Sequence, residues 1–194
     1  MNKKRCSWCG TDPLYITYHD EEWGAPVYDD ATLFEFLLLE TFQAGLSWIT
    51  ILKKRENFRK AFDGFDYTKI AKYNQNKIDS LLLDAGIIRN KLKVHSAVTN
   101  AIAFQKIQVE FGSFSKYIWS FVDGKPIQNN PKSMSDIPAN TPLSTTLSKD
   151  LKKRGFKFVG TTVVYAHMQA TGMVNDHASD CFRHTEVQSI SANS

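Results

Sequence analysis

Asp29-Asp30-Ala31-Thr32-Leu33-Phe34-Glu35-Phe36-Leu37-Leu38-Leu39-Glu40-Thr41-Phe42-Gln43 is the stretch on which the fold turns. Two aspartates able to cap a helix precede a run that is apolar on nearly every side. A helix apolar all round must be enclosed by other elements. Its greasiest part, Leu33 to Leu39, is far too short to cross a bilayer. It is therefore read as the central helix of an all-α protein. Gly45 ends it, and Ser47 can cap a following helix from Trp48 to about Phe62.

Outward from this helix the pattern stays helical. Asn74 or Asn76 opens a helix through Ile78, Leu81 and Leu82, Ala85-Gly86 breaks it, and a longer helix starts near Arg89. That longer helix carries Val94, Val98 and Ile102 at i, i+4, i+8 spacing. A short helix is expected over 114–121, stopped by Asp123-Gly124. Residues 124–143 hold four prolines and read as a long loop. Ser144 or Thr145 opens a helix through Arg154, closed by Gly155. Residues 156–159 alternate like a strand without a partner, and 161–171 read as a buried helix ended by Gly172. Residues 1–28 show no helical period, although Trp8, Tyr15, Tyr18, Trp23 and Tyr28 need a surface or a staple. The expected organisation is one compact unit over 1–185. Alternatively, two lobes divide it into 1–30 with 120–185, and 31–119. A frayed tail is expected over 186–194.

The chain has 194 residues, 42% hydrophobic content and a formal net charge of +4. That supports a real core and excludes wholesale disorder. The mild basicity permits a polyanionic partner without demanding one. Three cysteines, an odd and low number, exclude a disulfide framework. The start, MNKKRCSWCG, lacks the apolar run of a signal peptide. The expected compartment is the cytoplasm, where thiols stay reduced, with no membrane association and a monomeric state. Reduced cysteines near histidines favour a metal over a disulfide.

Cys6 and Cys9 form a CxxC, and His177 and Cys181 an HxxxC that, if helical, puts both groups on one face. With His19 they make five candidates for a tetrahedral zinc that takes four. Each cysteine alone is better read as a small buried hydrophobe. The set favours metal because the two irregular ends lack another way to be pinned. The residues alone do not choose four from five. A redox role for Cys6 and Cys9 lacks the βαβ pattern that such a motif accompanies. His95 and His167 fall within expected helices and read as ordinary residues.

Glu40 ends the most apolar run of the chain, where a carboxylate is costly unless hydrogen-bonded or facing a polar cavity. A generic glutamate there would reach water at the helix end. Gln43, Ser47 and Trp48 follow closely, and Trp8, Tyr15, Tyr18 and Trp23 can supply walls. An aromatic pocket with one carboxylate suits a flat, cationic ligand that donates hydrogen bonds. Residues 77–104 read as helix, Gly86-containing turn, helix, a shape that can offer backbone N–H groups to a phosphate. Arg89, Lys91 and Lys93 lie beside it, with further basic clusters at 53–55 and 152–157. Each cluster alone can be a solvated face; together they suit a DNA backbone.

Taken together, CSW at Cys6, DPLYITYHDEEWG at 12–24, LFEFLLLETFQAGLSWITILKKRENF at 33–58, DAGIIRNKLK at 84–93, LSKDLKKRGFKFVGTTVVYAHMQATGMVNDH at 147–177 and Cys181 resemble the 3-methyladenine DNA glycosylase I family. The resemblance spans residues 6–181. It implies a helix-hairpin-helix DNA glycosylase-like fold with zinc-stapled N- and C-terminal regions, and one structural Zn2+ per chain on Cys6, His19, His177 and Cys181. Cys9 falls where the family needs no cysteine. Glu40 falls on the base-binding, catalytic carboxylate, Trp48 on the stacking platform and Tyr18 on a hydrogen-bonding wall. Trp8, Tyr15 and Trp23 are similar in position to other pocket aromatics. Gly45 and Leu46 fall on the turn that fills the gap left by a flipped base, and Gly86 and Lys91 on the hairpin side of the DNA contact.

The implied activity is base-excision repair. The enzyme would hydrolyse the N-glycosidic bond of 3-methyladenine in alkylation-damaged double-stranded DNA, release the free base and leave an abasic site. Methylation at N3 makes the adenine cationic and weakens that bond before any enzyme acts. The rival reading is a non-catalytic, zinc-stabilised DNA-binding module in which Glu40 is structural.

Overall fold

A computed structural model describes residues 3–43 and 45–192, and the chain in it is mostly helical. The helices are α1 (Pro13–Glu21), α2 (Asp30–Gln43), α3 (Trp48–Ala61), α4 (Tyr67–Ile70), α5 (Gln75–Leu83), α6 (Lys91–Phe111), α7 (Phe114–Trp119), α8 (Pro142–Lys153), α9 (Thr161–Ala170) and α10 (Phe182–Ala192). Helix α2 takes the central place that its composition requires: every residue from Leu33 to Phe42 is buried. It packs against α3, α6, α7 and α9. Its apolar side chains join Phe58, Phe104, Phe114, Val164 and Met168 in the main core. A second, smaller cluster joins Cys6, Tyr18, Trp23, Phe36, Leu52 and Cys181.

The caps explain the boundaries. Asn74 and Asn90 open α5 and α6 by accepting from Lys77 N and Lys93 N. Residues 84–90 connect the two helices as a tight turn. Ser47 precedes α3 in an extended conformation, but its hydroxyl bonds Thr50 Oγ1 at 2.7 Å and does not cap the backbone.

Four expectations are corrected. Residues 13–21 are helical: Pro13 sits at the first helical position, and Asp12 accepts from Leu14 N at 3.0 Å. The helix shows no sequence stripe because aromatic and apolar residues occupy several of its sides. Helix α8 starts at Pro142 with Thr141 as cap, and Ser144 is the reciprocal partner of a capping box. The proline-rich segment contains β1 (Ile127–Gln128), paired in parallel with β2 (Val174–Asn175), while 156–159 form no strand. There Asn100 grips the Lys157 backbone and Ser148 Oγ donates to Val159 O, and these side-chain bonds replace a ladder. Finally, the tail expected to fray from residue 186 is helical to Ala192, with Val187 buried. Residues 193 and 194 of that tail lie outside the described residues.

Residues 25–26 pass close against Gly172 at the end of α9. This glycine follows α9 with φ +70°, and a Cβ there would stand 2.4 Å from the Ala25 carbonyl carbon and 2.5 Å from Pro26 N. A Gly172→Ala substitution is expected to cost about 2–4 kcal/mol, from backbone overlap plus the left-handed conformation. Urea unfolding checks it; an unchanged midpoint would mean that the 25–26 segment moves freely.

Candidate metal centre and base-sized pocket

Cys6, His19, His177 and Cys181 are buried, and their ligand atoms lie within 4.8 Å of one another. Cys6 Sγ and Cys181 Sγ stand 3.6 and 3.7 Å from His177 Nδ1, and Cys181 Sγ stands 3.4 Å from His19 Nε2. A tetrahedral ion with ordinary metal–sulfur and metal–nitrogen lengths has S···N edges of about 3.5 Å. The remaining ring nitrogens are committed elsewhere. His19 Nδ1 bonds Asp20 Oδ1 at 2.8 Å, and His177 Nε2 bonds the Trp23 carbonyl at 2.9 Å. Those partners place the protons on the outer nitrogens and leave the inner ones as lone-pair donors. Arg5 grips Asp20 through three bonds of 2.7, 2.8 and 3.0 Å and so orients the residue that orients His19. The two thiols perturb each other in opposite senses. The hydrogen bond with Cys181 pushes Cys6 up, and the same bond holds Cys181 down. The donor set and its spacing therefore fit a metal ion.

The sequence spacing misleads in one respect. His177 and Cys181 precede α10 and are not helical, so a loop and not a helix face brings them together. Cys9 is buried outside the cluster and donates its S–H to the Cys6 carbonyl at 3.1 Å.

Beside this cluster lies a cavity of about 260 Å3, lined by Trp8, Tyr15, Tyr18, Trp23, Glu40 and Trp48 among others. All six residues expected to form a base-binding site therefore converge. Helix α1 supplies the tyrosines, α2 the carboxylate and the first turn of α3 the Trp48 ring. Trp8 and Trp23 pack edge-on at 4.9 Å, and Tyr18 lies 5.5 Å from Trp48. The pocket leans on this Cys/His cluster, because Trp8 packs on His19 at 5.3 Å and Trp23 on His177 at 4.6 Å.

The opposite wall was not foreseen. It consists of Met134, Ile137 and Pro138 from the proline-rich segment, with Thr162, Tyr165 and Gln169 from α9. The 162, 165, 169 spacing marks one helix face and was a usable signal. The loop wall had none, since its placement depends on long-range bonds such as Ser179 N to Pro131 O at 2.8 Å.

Two glutamates of α2 show what is special about one of them. Glu35 accepts from Arg55 at 2.7 Å and Arg59 at 2.8 Å. Glu40, only 4% exposed, has no hydrogen bond or ion pair among the described residues. Burial pushes its carboxyl up to about 8. The Tyr18 phenol is raised well above its usual range by burial and then by Glu40. His167 is also buried and pushed down to about 4, but it bonds the Leu33 carbonyl at 3.1 Å as an ordinary core residue. The pocket thus offers largely aromatic walls and, in Glu40, a carboxylate that no donor among the described residues satisfies. That suits a planar heterocycle presenting N–H groups, more so if it is cationic.

The expected DNA-side residues do not line this cavity. Gly45, with φ +84°, and the part-exposed Leu46 form the turn between α2 and α3; Ala44 of that turn lies outside the described residues. Gly86 sits in the α5–α6 turn, where its N–H donates to Asp84 Oδ1 at 2.7 Å, and Lys91 is exposed at the first position of α6. Several basic residues that suggested a DNA surface are already engaged. Lys53 pairs with Asp12, Arg55 with Glu22 and Glu35, and Arg154 with Glu110 and Asp150.

Comparison with known proteins agrees with this geometry. The methyladenine glycosylase family profile matches residues 8–184. The chain is 49% identical to DNA-3-methyladenine glycosylase 1 of Escherichia coli (strain K12) over 178 residues, 92% of this chain and 95% of that one. It superposes with TM-score 0.90 on a crystal structure of 3-methyladenine DNA glycosylase I, at 51% identity over 92% of this chain and 98% of the other. A tyrosine-to-phenylalanine variant of a 3-methyladenine DNA glycosylase I, in complex with 3-methyladenine, superposes with TM-score 0.89 at 40% identity, covering 92% and 96% of the two chains. Carried by nearly its whole length, this chain belongs to the methyladenine glycosylase family.

Proposed function

We propose that this protein excises 3-methyladenine from alkylated double-stranded DNA by hydrolysing the N-glycosidic bond, releasing the free base and leaving an abasic site. The observation that carries the reading is Glu40, buried and unpartnered in an aromatic pocket of base size. A base inside a duplex must first be extruded. Leu46, on its tight turn, fills the gap left in the stack. Trp48 stacks on the electron-poor ring, Tyr18 bounds it, and Trp8, Tyr15 and Trp23 close the pocket around it. Glu40 accepts from the base N–H groups and favours its positive charge, which unmodified adenine lacks. Water is the nucleophile: no lysine is among the residues lining the cavity, so a Schiff-base route has no candidate there. Zinc held by Cys6, His19, His177 and Cys181, one per chain, would cross-link the two ends of the chain behind the pocket. The working unit is a single chain acting in the cytoplasm; no helix among the described residues is long and apolar enough to cross a membrane.

Incubation with methylated duplex DNA, followed by chromatographic identification of the released bases, tests the reading. 3-Methyladenine is the expected product. Binding of such DNA with no base release would favour the rival, a zinc-stabilised DNA-binding module.

Backbone contacts at the α5–α6 turn, with Gly86 and Lys91 nearest, should dominate DNA affinity. The logarithm of affinity for an abasic duplex is then expected to fall linearly with the logarithm of salt concentration, by about 0.9 per phosphate neutralised. Fluorescence anisotropy over a salt series measures it; a flat response would contradict this placement of the DNA.

A further inference from the structure

Lys93, in the first turn of α6, is buried, and its side chain crosses to the end of α2. There Nζ donates to the Phe42 carbonyl at 2.8 Å. Carbonyls in the last turn of a helix lack an intrahelical donor and sit at the negative end of its dipole, so a cation is favoured there. Burial lowers the ammonium's pKa, and the carbonyl contact offsets part of that cost.

Beyond Phe42, Gln43 and Leu46 are tied to each other. Leu46 N donates to the Gln43 carbonyl at 2.7 Å, and Gln43 Nε2 returns a bond to the Leu46 carbonyl at 2.7 Å. This clamp leaves the Leu46 side chain part-exposed on a tight turn between two pocket residues, Glu40 and Trp48. In the reverse direction, Lys54 of α3 donates to the Ala85 and Gly86 carbonyls at 3.2 and 3.1 Å. Two lysines therefore join the helices that flank the α2–α3 turn to the α5–α6 hairpin, Lys93 from α6 to the last turn of α2 and Lys54 from α3 to the α5–α6 turn, both through backbone carbonyls.

Base extrusion asks for such a tie. An apolar side chain must enter the stack while the phosphates remain gripped. Two contacts on separate elements cooperate only if their spacing is fixed, since a misplacement of about 1 Å can cost on the order of 100-fold in rate.

We propose that Lys93 is a positioning residue for base extrusion, holding the Gly45–Leu46 turn against the α5–α6 hairpin so that both engage DNA as one body. This rests on the glycosylase reading above. It gives Lys93 a role unlike that of a phosphate-binding lysine, and the two are separable.

The measurement is the ratio of affinities for a duplex carrying a tetrahydrofuran abasic analogue and for an intact duplex, across a salt series. Lys93→Met is expected to lower this ratio about tenfold or more, on the scale of a misplaced contact. The salt slope on intact duplex should stay unchanged, and free 3-methyladenine should bind within about twofold of the parent, because Lys93 does not line the base-sized cavity. Lys93→Arg, which keeps a cation, should retain much of the ratio. In a Leu46→Ala background, Lys93→Met should change the ratio by less than about threefold, since residues acting through one contact are not additive.

A salt slope reduced by about one with the ratio intact would identify a direct phosphate contact and overturn the proposal. An unchanged ratio would overturn it, as would additivity with Leu46→Ala. Loss of free-base binding together with the ratio would mean general structural damage and overturn it too. A parent protein that releases no base and shows no abasic preference would overturn the glycosylase reading and this one with it, an outcome distinct from a loss confined to the variants.

Discussion

Cys181→Ser is expected to abolish the metal binding proposed for the Cys6, His19, His177 and Cys181 cluster and to release both ends of the chain from the helical core. Structural zinc sites in small domains contribute apparent binding energies of about 10–16 kcal/mol. Here α2 and its neighbours form a core of their own, so the expected result is a loosened protein with much of its helicity and not a fully unfolded one. The loss should reach the pocket. Trp8 and Trp23 pack on His19 and His177, and Tyr18, Trp23 and Cys181 share one apolar cluster. Free 3-methyladenine should therefore bind more weakly in this variant although no pocket residue has changed. Elemental analysis, thermal unfolding and base titration check the three parts. Cys9→Ser is the contrasting variant: its sulfur touches the Cys6 carbonyl and lies outside the cluster, so zinc content should stay near one per chain. Full metal retention in Cys181→Ser would remove that residue from the ligand set.

That contrast marks a boundary of what the sequence made legible. Two thiols three residues apart at Cys6 and Cys9 look alike on paper, and only the resemblance to a family separated them. The physical distinction comes from residues far along the chain, since Ala178 N donates to Cys6 Sγ and two histidines aim their free nitrogens at the same point. Helix α2 was legible because a run apolar on all sides has one stable location. The α5–α6 hairpin was legible because asparagine caps and a glycine break are local signals. Helix α1 was hidden, since a segment whose aromatics and His19 face the core, the pocket and the Cys/His cluster on different sides has no stripe. The basic clusters misled for a related reason. Lys53 pairs with Asp12 41 residues away, and Arg55 and Arg154 each have one partner 33 and 44 residues away besides a nearer one, and composition does not show that a charge is already paired. Lys54 and Lys93 carry the same lesson further, because both serve backbone carbonyls. The pocket wall from 134–138 follows Pro131, whose carbonyl is held by Ser179 N from the far end of the chain, and nothing local announces it.

Glu40→Gln is expected to reduce excision of 3-methyladenine from duplex DNA by roughly 10- to 150-fold near pH 8, the scale of a charge-assisted hydrogen bond worth about 1.5–3 kcal/mol. The amide keeps one acceptor, loses the charge attraction and turns a donor toward a base that presents N–H groups. Trp48→Ala, which removes the stacking ring, should cost about 1–3 kcal/mol of base affinity. Glu40 also sets the pH dependence. With its carboxyl pushed up to about 8 by burial, most free protein near neutrality holds the proton. Because kcat/KM reports the free enzyme, it should rise with pH about tenfold per pH unit below about 8 and level off above. The glutamine variant should lack this ascending limb. Stability must run the other way. The folded-state pKa lies above the ordinary value of 4.5, so between about 4.5 and 8 the native state binds more protons than the unfolded chain. The stabilisation is complete below about 4.5. It declines by on the order of 1.4 kcal/mol for each pH unit above that and is gone once the pH has risen through about 8. Glu40→Gln should remove that decline, leaving a variant more stable than the parent in alkaline solution and less able to excise. Urea unfolding and single-turnover excision across pH 5–9 measure both limbs on the same samples. Unchanged excision with intact helicity would make Glu40 a helix-end residue only, whereas opposite movements of stability and activity are what a carboxylate held unpaired for an incoming cationic base requires.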